Sequence, residues 1–233
     1  MAIYIKKIDD NRTPILFIHG LGMGSFAYLS FVKYLANEKR SSIIVELPNI
    51  SFCEYIFPHP KIENIVDDIK FLLDNQKINK VSIIANSYGT HIQHLFNIRY
   101  SSMVHKNIYS DPTCFVINQS KFLPVRNNKG FCCHQYGENL YKKIVFAFIF
   151  KDPIVDFILK RTCFLEHTLL HSLSKKDAIM LGSRDVIVPS KEIKEYLSLY
   201  HPEIKIIERN SEHCEIFSNI IPAMELINEH FND

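Results

Sequence analysis

A serine in a predicted sharp turn is the residue of this sequence best suited to nucleophilic chemistry. Ser87 stands in the segment Ala-Asn-Ser-Tyr-Gly at residues 85–89, directly after the apolar, β-branched run 81–85. The pattern is G-x-S-x-G with Ala85 in place of the first glycine, a position that needs only a small residue. It predicts a strand, a tight elbow and then a helix, with the serine hydroxyl exposed above the helix N-terminus.

A serine hydroxyl is a weak nucleophile, so this chemistry requires a base and an acid elsewhere in the chain. His213 lies in the loop after a predicted strand and is the candidate base. Asp185 follows another predicted strand and is the candidate acid, which would hold the tautomer of the imidazole. Asp111 also ends a predicted strand and is the alternative acid. Its neighbour Pro112 suits a simple turn, which favours Asp185.

Four other reactive side chains have simpler interpretations. His19 precedes a glycine-rich loop, where we expect it to hydrogen-bond the loop rather than to catalyse. His91 and His94 are three residues apart on the helix predicted after the elbow, as in a metal-binding pair, but no third ligand has a suitable spacing. Cys214 beside His213 is expected to be a packed thiol. The sequence therefore predicts neither a metal site nor a cofactor.

Strands alternating with helices are predicted to position these residues. The strands cover 2–8, 15–18, 42–48, 81–85, 107–110, 177–181 and 204–208, and the main helices follow at 25–35, 61–76, 89–99, 190–200 and 215–230. This alternation is typical of the α/β class, a mostly parallel sheet with helices on both faces. Ser25 is predicted to cap the first helix, whose apolar face would contain Phe26, Leu29, Val32, Tyr34 and Leu35.

The stretch 113–174 interrupts the alternation and is predicted to be a helical cap inserted into a single domain, 1–233. Two of its helices are expected at about 140–150 and 153–159, and it is rich in Phe, Tyr and Cys. The aromatic surplus favours an apolar pocket for an acyl chain or an aromatic ester.

Composition narrows the class of protein. The chain has 233 residues, a net charge of +2 and no long basic run, which argues against nucleic-acid binding. The six cysteines show no metal-binding spacing and indicate free thiols in a reducing compartment. We expect a cytoplasmic protein, because no signal peptide or membrane span is found, although the apolar run 144–150 leaves contact with a membrane surface open. Five of the seven glycines lie in loops predicted at one edge of the sheet: Gly20, Gly22, Gly24, Gly89 and Gly182.

The sequence resembles the α/β-hydrolases, in which the nucleophile, acid and histidine follow one another in that chain order. The matching segments are His-Gly-Leu-Gly at 19–22, the elbow at 85–89, Leu-Gly-Ser-Arg-Asp-Val-Ile-Val-Pro at 181–189 and Ser-Glu-His at 211–213. The segments 111–115 and 150–153 also resemble a less characterised, mainly fungal group of these proteins. The resemblance implies an α/β-hydrolase fold and an oxyanion hole made by the backbone N–H groups of Leu21 and Tyr88.

Together these features predict a lipase-like serine hydrolase that cleaves a small carboxylic ester or thioester, including a lipid ester, through an acyl-enzyme on Ser87. Hydrolysis of a carbon–carbon bond and acyl transfer to an acceptor use the same machinery and are the enzymatic alternatives. A third alternative, from a different class, is a non-catalytic protein that binds a ligand or a partner under the cap. Epoxide hydrolase and dehalogenase chemistry is disfavoured, because those relatives carry aspartate at the elbow.

Overall fold

A mostly parallel sheet of seven strands forms the centre of the protein in a computed structural model. The structure describes residues 2–51, 56–115, 153, 155, 173–217 and 220–231. The strand order is β1-β3-β2-β4-β5-β6-β7, and only β1 runs antiparallel to its neighbour. The strands are β1 Ala2–Lys6, β2 Ile15–Ile18, β3 Ser42–Glu46, β4 Val81–Asn86, β5 Val104–Ser110, β6 Asp177–Gly182 and β7 Lys205–Arg209.

The central strands are continuous apolar runs because helices cover them on both sides. Every residue of β2, β3, β4 and β6 is buried. The register sets Ile18 beside Ala85 and Asn86 beside Ser110. The carboxyl ends of these strands are therefore nearly level, so the loops that follow them meet at one edge of the sheet.

Five α-helices fall within the described ranges: α1 Leu29–Asn37, α2 Ile62–Asn75, α3 Gly89–Arg99, α4 Ser190–Tyr200 and α5 Ile220–Phe231. Helices α2 and α3 pack on the face that carries Ile18 and Ala85, and α4 packs beside them on Leu181. Helices α1 and α5 cover the opposite face, against Phe17 and Ile84. The predicted α/β class, with helices on both faces of the sheet, is confirmed.

The predicted first helix is wrong in its cap and in its first turn, whereas Val32, Tyr34 and Leu35 lie in the core as predicted. Residues Gly24–Tyr28 form a 3-10 helix, and α1 begins only at Leu29, without a side-chain cap. Phe26 is 67% exposed and Leu29 43% exposed, whereas Tyr28 and Phe31 are buried. A 3-10 turn holds three residues rather than 3.6, so an α-helical wheel drawn from Ser25 assigns the wrong side chains to the core. The Ser25 amide instead donates to the Glu46 carboxylate over 2.9 Å.

Most other predicted boundaries agree within two residues, with two exceptions. Strand β5 begins at Val104, three residues before the predicted start, and the last helix is divided into the 3-10 turn Glu215–Phe217 and α5. Apart from two positions, Pro153 and Val155, the cap segment 116–172 lies outside the described residues, so the insertion and its helices stay predictions. Within the described part of the chain, no helix has both the length and the apolar character needed to cross a membrane.

Candidate active site

The elbow after β4 holds Ser87 in a strained backbone conformation. Its φ angle is 49°, in the left-handed region that non-glycine residues seldom adopt. The Ser87 amide donates to the carbonyl of Ser110 over 3.0 Å, and its own carbonyl accepts the Thr90 hydroxyl over 2.6 Å. A Cβ at Gly89 would lie 2.6 Å from the carbonyl oxygens of Ile18 and His19, so only glycine lets α3 cross this close to β2. The sharp turn is thus fixed from both sides.

The loop after β7 brings His213 onto the elbow. The Nε2 atom of His213 lies 2.9 Å from Oγ of Ser87, and its Nδ1 atom lies 2.6 Å from Oδ2 of Asp185. A carboxylate accepts hydrogen bonds, so these partners assign the proton to Nδ1 and leave the Nε2 lone pair facing the serine hydroxyl. This is the tautomer that a general base needs.

Asp185 lies in the turn after β6, and its carboxylate is held on both oxygens. Oδ1 accepts the amides of Ile187 and Val188 over 2.7 and 2.9 Å, which leaves Oδ2 for His213. The side chain has no exposed surface. The turn is therefore built around the carboxylate, and the acid cannot rotate without losing two backbone hydrogen bonds.

The alternative acid, Asp111, lies close by but has different partners. Its Oδ1 accepts the amide of Gly182 over 3.0 Å and its Oδ2 the amide of Cys214 over 2.8 Å. It therefore joins the loop that carries the acid to the loop that carries the histidine. Burial raises the pKa of Asp111 to about 6, although the nearby His213 opposes the shift. The structure thus brings Asp185, and not Asp111, into hydrogen-bond contact with Nδ1 of His213.

The imidazole of His213 is buried beside negative charge. Burial by itself lowers its pKa, but the Asp185 carboxylate, 2.6 Å from Nδ1, outweighs that effect and raises the pKa well above 6.5. Among the described residues, Asp111, His213 and Cys214 also offer metal-ligand atoms within 4.8 Å of one another. Both Asp111 oxygens and both His213 nitrogens are already hydrogen-bonded within the protein, so we assign no ion to this group.

The two amides predicted to bind an oxyanion belong to segments on either side of Ser87. A Cβ at Gly20 would lie 3.0 Å from Cβ of Ser87, so the loop carrying Leu21 passes directly beside the nucleophile. The Leu21 side chain packs against the core, and the next residue, Gly22, has a φ angle of 119° and donates its amide to Ile50 over 3.0 Å. Tyr88 opens the first turn of α3. Their role in binding an oxyanion stays a prediction.

The three other histidines singled out in the sequence, His19, His91 and His94, are buried. His19 is fully buried, its Nδ1 lies 2.6 Å from the Gly20 carbonyl, and its Nε2 accepts the amide of Leu47 over 3.0 Å. It therefore ties β3 to the glycine-rich loop. His91 is buried 3.1 Å from the hydroxyl of Thr113, and burial lowers its pKa to about 3. His91 is thus a neutral side chain of the interior, with His94 buried near it.

Two residues near the elbow carried no signal of their own in the sequence. Asn86 occupies the variable position before Ser87, and Tyr28 ends the 3-10 turn Gly24–Tyr28, where an α-helical wheel does not place it on the apolar face. The Tyr28 hydroxyl is 2.7 Å from Oδ1 of Asn86, and Cys214 Sγ is 2.8 Å from the same oxygen. Cys214, expected to be a packed thiol, is thus part of a hydrogen-bonded cluster with Asn86 and Tyr28.

Comparison with known sequences gives a limited match. No family model matches the chain. A probable alcohol acetyltransferase of the fungus Wickerhamomyces anomalus is 25% identical over 109 residues, which are 46% of this chain and 32% of that protein. The chain therefore spans about a third of that relative's length. The match is consistent with the predicted resemblance to a mainly fungal group.

Comparison with solved structures covers almost the whole chain. An α/β hydrolase enzyme from a Medee basin deep-sea metagenome library has a TM-score of 0.70 at 15% identity, covering 99% of this chain and 94% of its own. A thermophilic esterase from Thermogutta terrifontis reaches 0.71 at 16% identity, with 98% and 91% covered. The enol-lactonase from Burkholderia xenovorans reaches 0.71 at 11%, with 100% and 96% covered. The predicted resemblance is confirmed at the level of architecture, and the chain has the α/β-hydrolase fold.

Proposed function

We propose that the protein is a serine hydrolase that cleaves a carboxylic ester or thioester through an acyl-enzyme. The observation that carries the proposal is the continuous line of hydrogen-bond distances from Ser87 Oγ through His213 to Asp185. A fixed acid, an imidazole in the base tautomer and a serine on a strained elbow are the parts that acyl transfer requires. Esterases among the structural neighbours support the same reaction class.

In the first half-reaction Ser87 Oγ attacks the acyl carbon while its proton moves to Nε2 of His213. The imidazolium that forms is stabilised by the Asp185 carboxylate, which lies 2.6 Å from Nδ1. The amides of Leu21 and Tyr88 would bind the oxyanion of the tetrahedral intermediate. Collapse of this intermediate expels the alcohol or thiol, which takes the proton from Nε2 and leaves the acyl group on Ser87.

In the second half-reaction water attacks the acyl-enzyme and gives its proton to His213. The carboxylic acid then leaves, and Ser87 regains its hydrogen from the imidazole. An alcohol in the place of water would yield a new ester, so hydrolysis and acyl transfer differ only in the acceptor. The second candidate function, an acyltransferase, is favoured by one specific observation: the matching fungal protein is named as a probable alcohol acetyltransferase.

Covalent labelling of Ser87 tests the proposed nucleophile. A fluorophosphonate probe is expected to label the wild type, and the Ser87→Ala variant is expected to remain unlabelled. Ser102→Ala, which changes an exposed serine in the 3-10 turn Ser101–Met103, is the matched control and should label like the wild type. Folded wild-type protein that does not react would refute the nucleophile and favour a non-catalytic binding protein.

Partitioning of the acyl group then separates the enzymatic alternatives. Enzyme supplied with an acetyl ester and increasing ethanol should form free acid as the main product if it is a hydrolase. Acyl transfer would instead give ethyl ester in excess over acid at ethanol concentrations far below that of water. A panel of p-nitrophenyl esters from acetyl to palmitoyl, together with a β-diketone, would report the acyl-chain preference and any carbon–carbon hydrolysis.

A further inference from the structure

The side-chain amide of Asn86 joins the elbow to two other loops of the site. Asn86 directly precedes Ser87 and has no exposed surface. Its Oδ1 atom lies 2.7 Å from the hydroxyl of Tyr28 and 2.8 Å from Sγ of Cys214. Its Nδ2 atom lies 3.2 Å from the hydroxyl and 3.3 Å from the carbonyl of Ser110. Both lone pairs and both protons of the amide are therefore engaged.

The amide of Gly20 donates to the Tyr28 hydroxyl over 3.1 Å, so the single hydroxyl proton points away from that amide. Its nearer acceptor is Oδ1 of Asn86 at 2.7 Å, and the Cys214 sulfur lies farther away at 3.8 Å. Burial raises the pKa of Tyr28 well above its usual value, which keeps the hydroxyl protonated as a donor. The second acceptor site of Oδ1 faces Sγ of Cys214, which donates to it over 2.8 Å.

Through Tyr28 and Cys214 the cluster reaches two segments that the proposed reaction uses. Gly20 immediately precedes Leu21, whose amide is the predicted oxyanion donor. Cys214 immediately follows His213, and its φ angle of 63° marks a tight turn that directs the imidazole. Asn86 itself is bonded to Ser87 through the backbone. A shift of Tyr28 or of Cys214 would therefore change the distance from the nucleophile to the oxyanion loop or to the base.

We propose that Asn86, Tyr28 and Cys214 are positioning residues that hold the oxyanion loop, the elbow and the histidine loop in one arrangement. The proposal rests on the proposed serine-hydrolase function. The hydrogen bonds of the Asn86 side chain go to Tyr28, Cys214 and Ser110, and Cys214 also lies near the imidazole of His213. Their effect is expected in the rate of acyl transfer rather than in substrate affinity, because preorganised donors act on the transition state.

Side-chain truncation at Tyr28 and at Cys214, with a matched control, tests this proposal. Tyr28→Phe keeps the ring, which packs on Phe17 and Phe217, and removes only the hydroxyl. Cys214→Ala removes the thiol, whereas Cys214→Ser supplies a hydroxyl that can donate to the same oxygen. The control is Tyr34→Phe, a buried tyrosine of α1 outside the cluster. The readouts are the second-order rate of fluorophosphonate labelling, kcat and KM for an ester, and the thermal midpoint of unfolding.

We expect Tyr28→Phe and Cys214→Ala each to lower kcat and the labelling rate about tenfold, the equivalent of one net hydrogen bond, with KM unchanged. Cys214→Ser should recover most of the rate, and Tyr34→Phe should match the wild type. The double variant should lose less than the product of the two single losses, since both act through Asn86.

Three results would overturn the positioning role. One is wild-type labelling rates and kcat in the folded Tyr28→Phe and Cys214→Ala variants. Another is losses that multiply fully in the double variant. The third is failure of Cys214→Ser to recover the rate although it unfolds at the wild-type temperature. Any of these leaves the proposed function intact if the wild type labels at Ser87. A wild type that does not label would instead overturn both proposals.

Discussion

Replacement of Asp185 by asparagine tests how the acid controls the histidine. The backbone amides of Ile187 and Val188 donate to Oδ1 of Asp185, so the carbonyl oxygen of the new amide must keep that position. Its NH2 group then faces Nδ1 of His213, where Oδ2 now lies at 2.6 Å. An NH2 donor forces Nδ1 to become an acceptor and moves the imidazole proton to Nε2.

The consequence is a base that no longer has a lone pair for Ser87. With a proton on Nε2, His213 cannot accept the hydroxyl proton across the present distance of 2.9 Å. Loss of the correct tautomer, together with loss of the charge that stabilises the imidazolium, is expected to lower kcat by about 10⁴-fold, or about 5.5 kcal/mol of transition-state stabilisation. The fold should change little, because both backbone hydrogen bonds to Oδ1 are kept.

Asp111→Asn is the matched comparison, and we expect the opposite balance of effects. Both Asp111 oxygens accept backbone amides, from Gly182 and from Cys214, so an asparagine must turn its NH2 group towards one of those donors. An unpaired buried donor costs about 1–3 kcal/mol of stability. The tautomer of His213 is unaffected, so kcat should fall by no more than about tenfold, the scale of one displaced hydrogen bond.

Steady-state kinetics with a p-nitrophenyl ester, combined with thermal unfolding, distinguish the two carboxylates. Asp185→Asn should lose kcat and keep its unfolding temperature, while Asp111→Asn should lose stability and keep most of its kcat. If Asp111→Asn instead abolished turnover while Asp185→Asn retained more than a tenth of it, Asp111 would be the acid. The interpretation of the hydrogen bond from His213 to Asp185 would then be wrong.

Three further predictions concern the same loops and the core beneath them. Because the pKa of His213 is raised, kcat/KM should rise with pH through a midpoint above 6.5. The stability that protonation of His213 adds to the folded state should be lost as pH rises through its folded pKa. A flat pH–rate profile from 5 to 9 would contradict this prediction. Gly89→Ala would push a Cβ to 2.6 Å from the backbone oxygens of Ile18 and His19 and should cost about 3 kcal/mol in denaturant unfolding, with no loss expected if the elbow can open. Phe217→Ala removes a ring packed against three aromatic side chains and should cost about 3–5 kcal/mol by the same measurement; a loss under 1 kcal/mol would mean that the cluster repacks.

The sheet could be predicted because its strands carry a strong local signal. Runs such as 15–18 and 81–85 are uniformly apolar, as expected where helices bury both faces of a strand. Strand β5 was underestimated because its first part, Val104–Lys106, includes a histidine and a lysine and is only partly buried. The helix at Gly24–Asn37 was misjudged because its 3-10 start changes the periodicity on which the wheel depends.

The proposed triad could be found from the sequence because strand ends of a parallel sheet converge. Ser87, Asp185 and His213 each follow a predicted strand, so their proximity needed only the fold. The choice between Asp185 and Asp111 depended on which carboxylate reaches Nδ1, a matter of a few ångströms that no spacing encodes. Asn86 is 58 positions from Tyr28 and 128 positions from Cys214 in the sequence. No local sequence pattern predicts contacts between residues so far apart.

Because β7 lies at the edge of the sheet, we expect the histidine loop that follows it to open at a lower temperature than the serine elbow. Every residue of β4, which supplies the serine, is buried, whereas β7 is only partly covered and pairs with β6 alone among the described strands. Surface ion pairs such as Lys205–Glu229 help to fasten β7 to α5, and such pairs contribute only about 0–1 kcal/mol each. We therefore expect amide hydrogen exchange to be faster in β7 than in β4. On warming, the base should detach by local opening before the sheet melts, so that activity disappears below the global unfolding temperature.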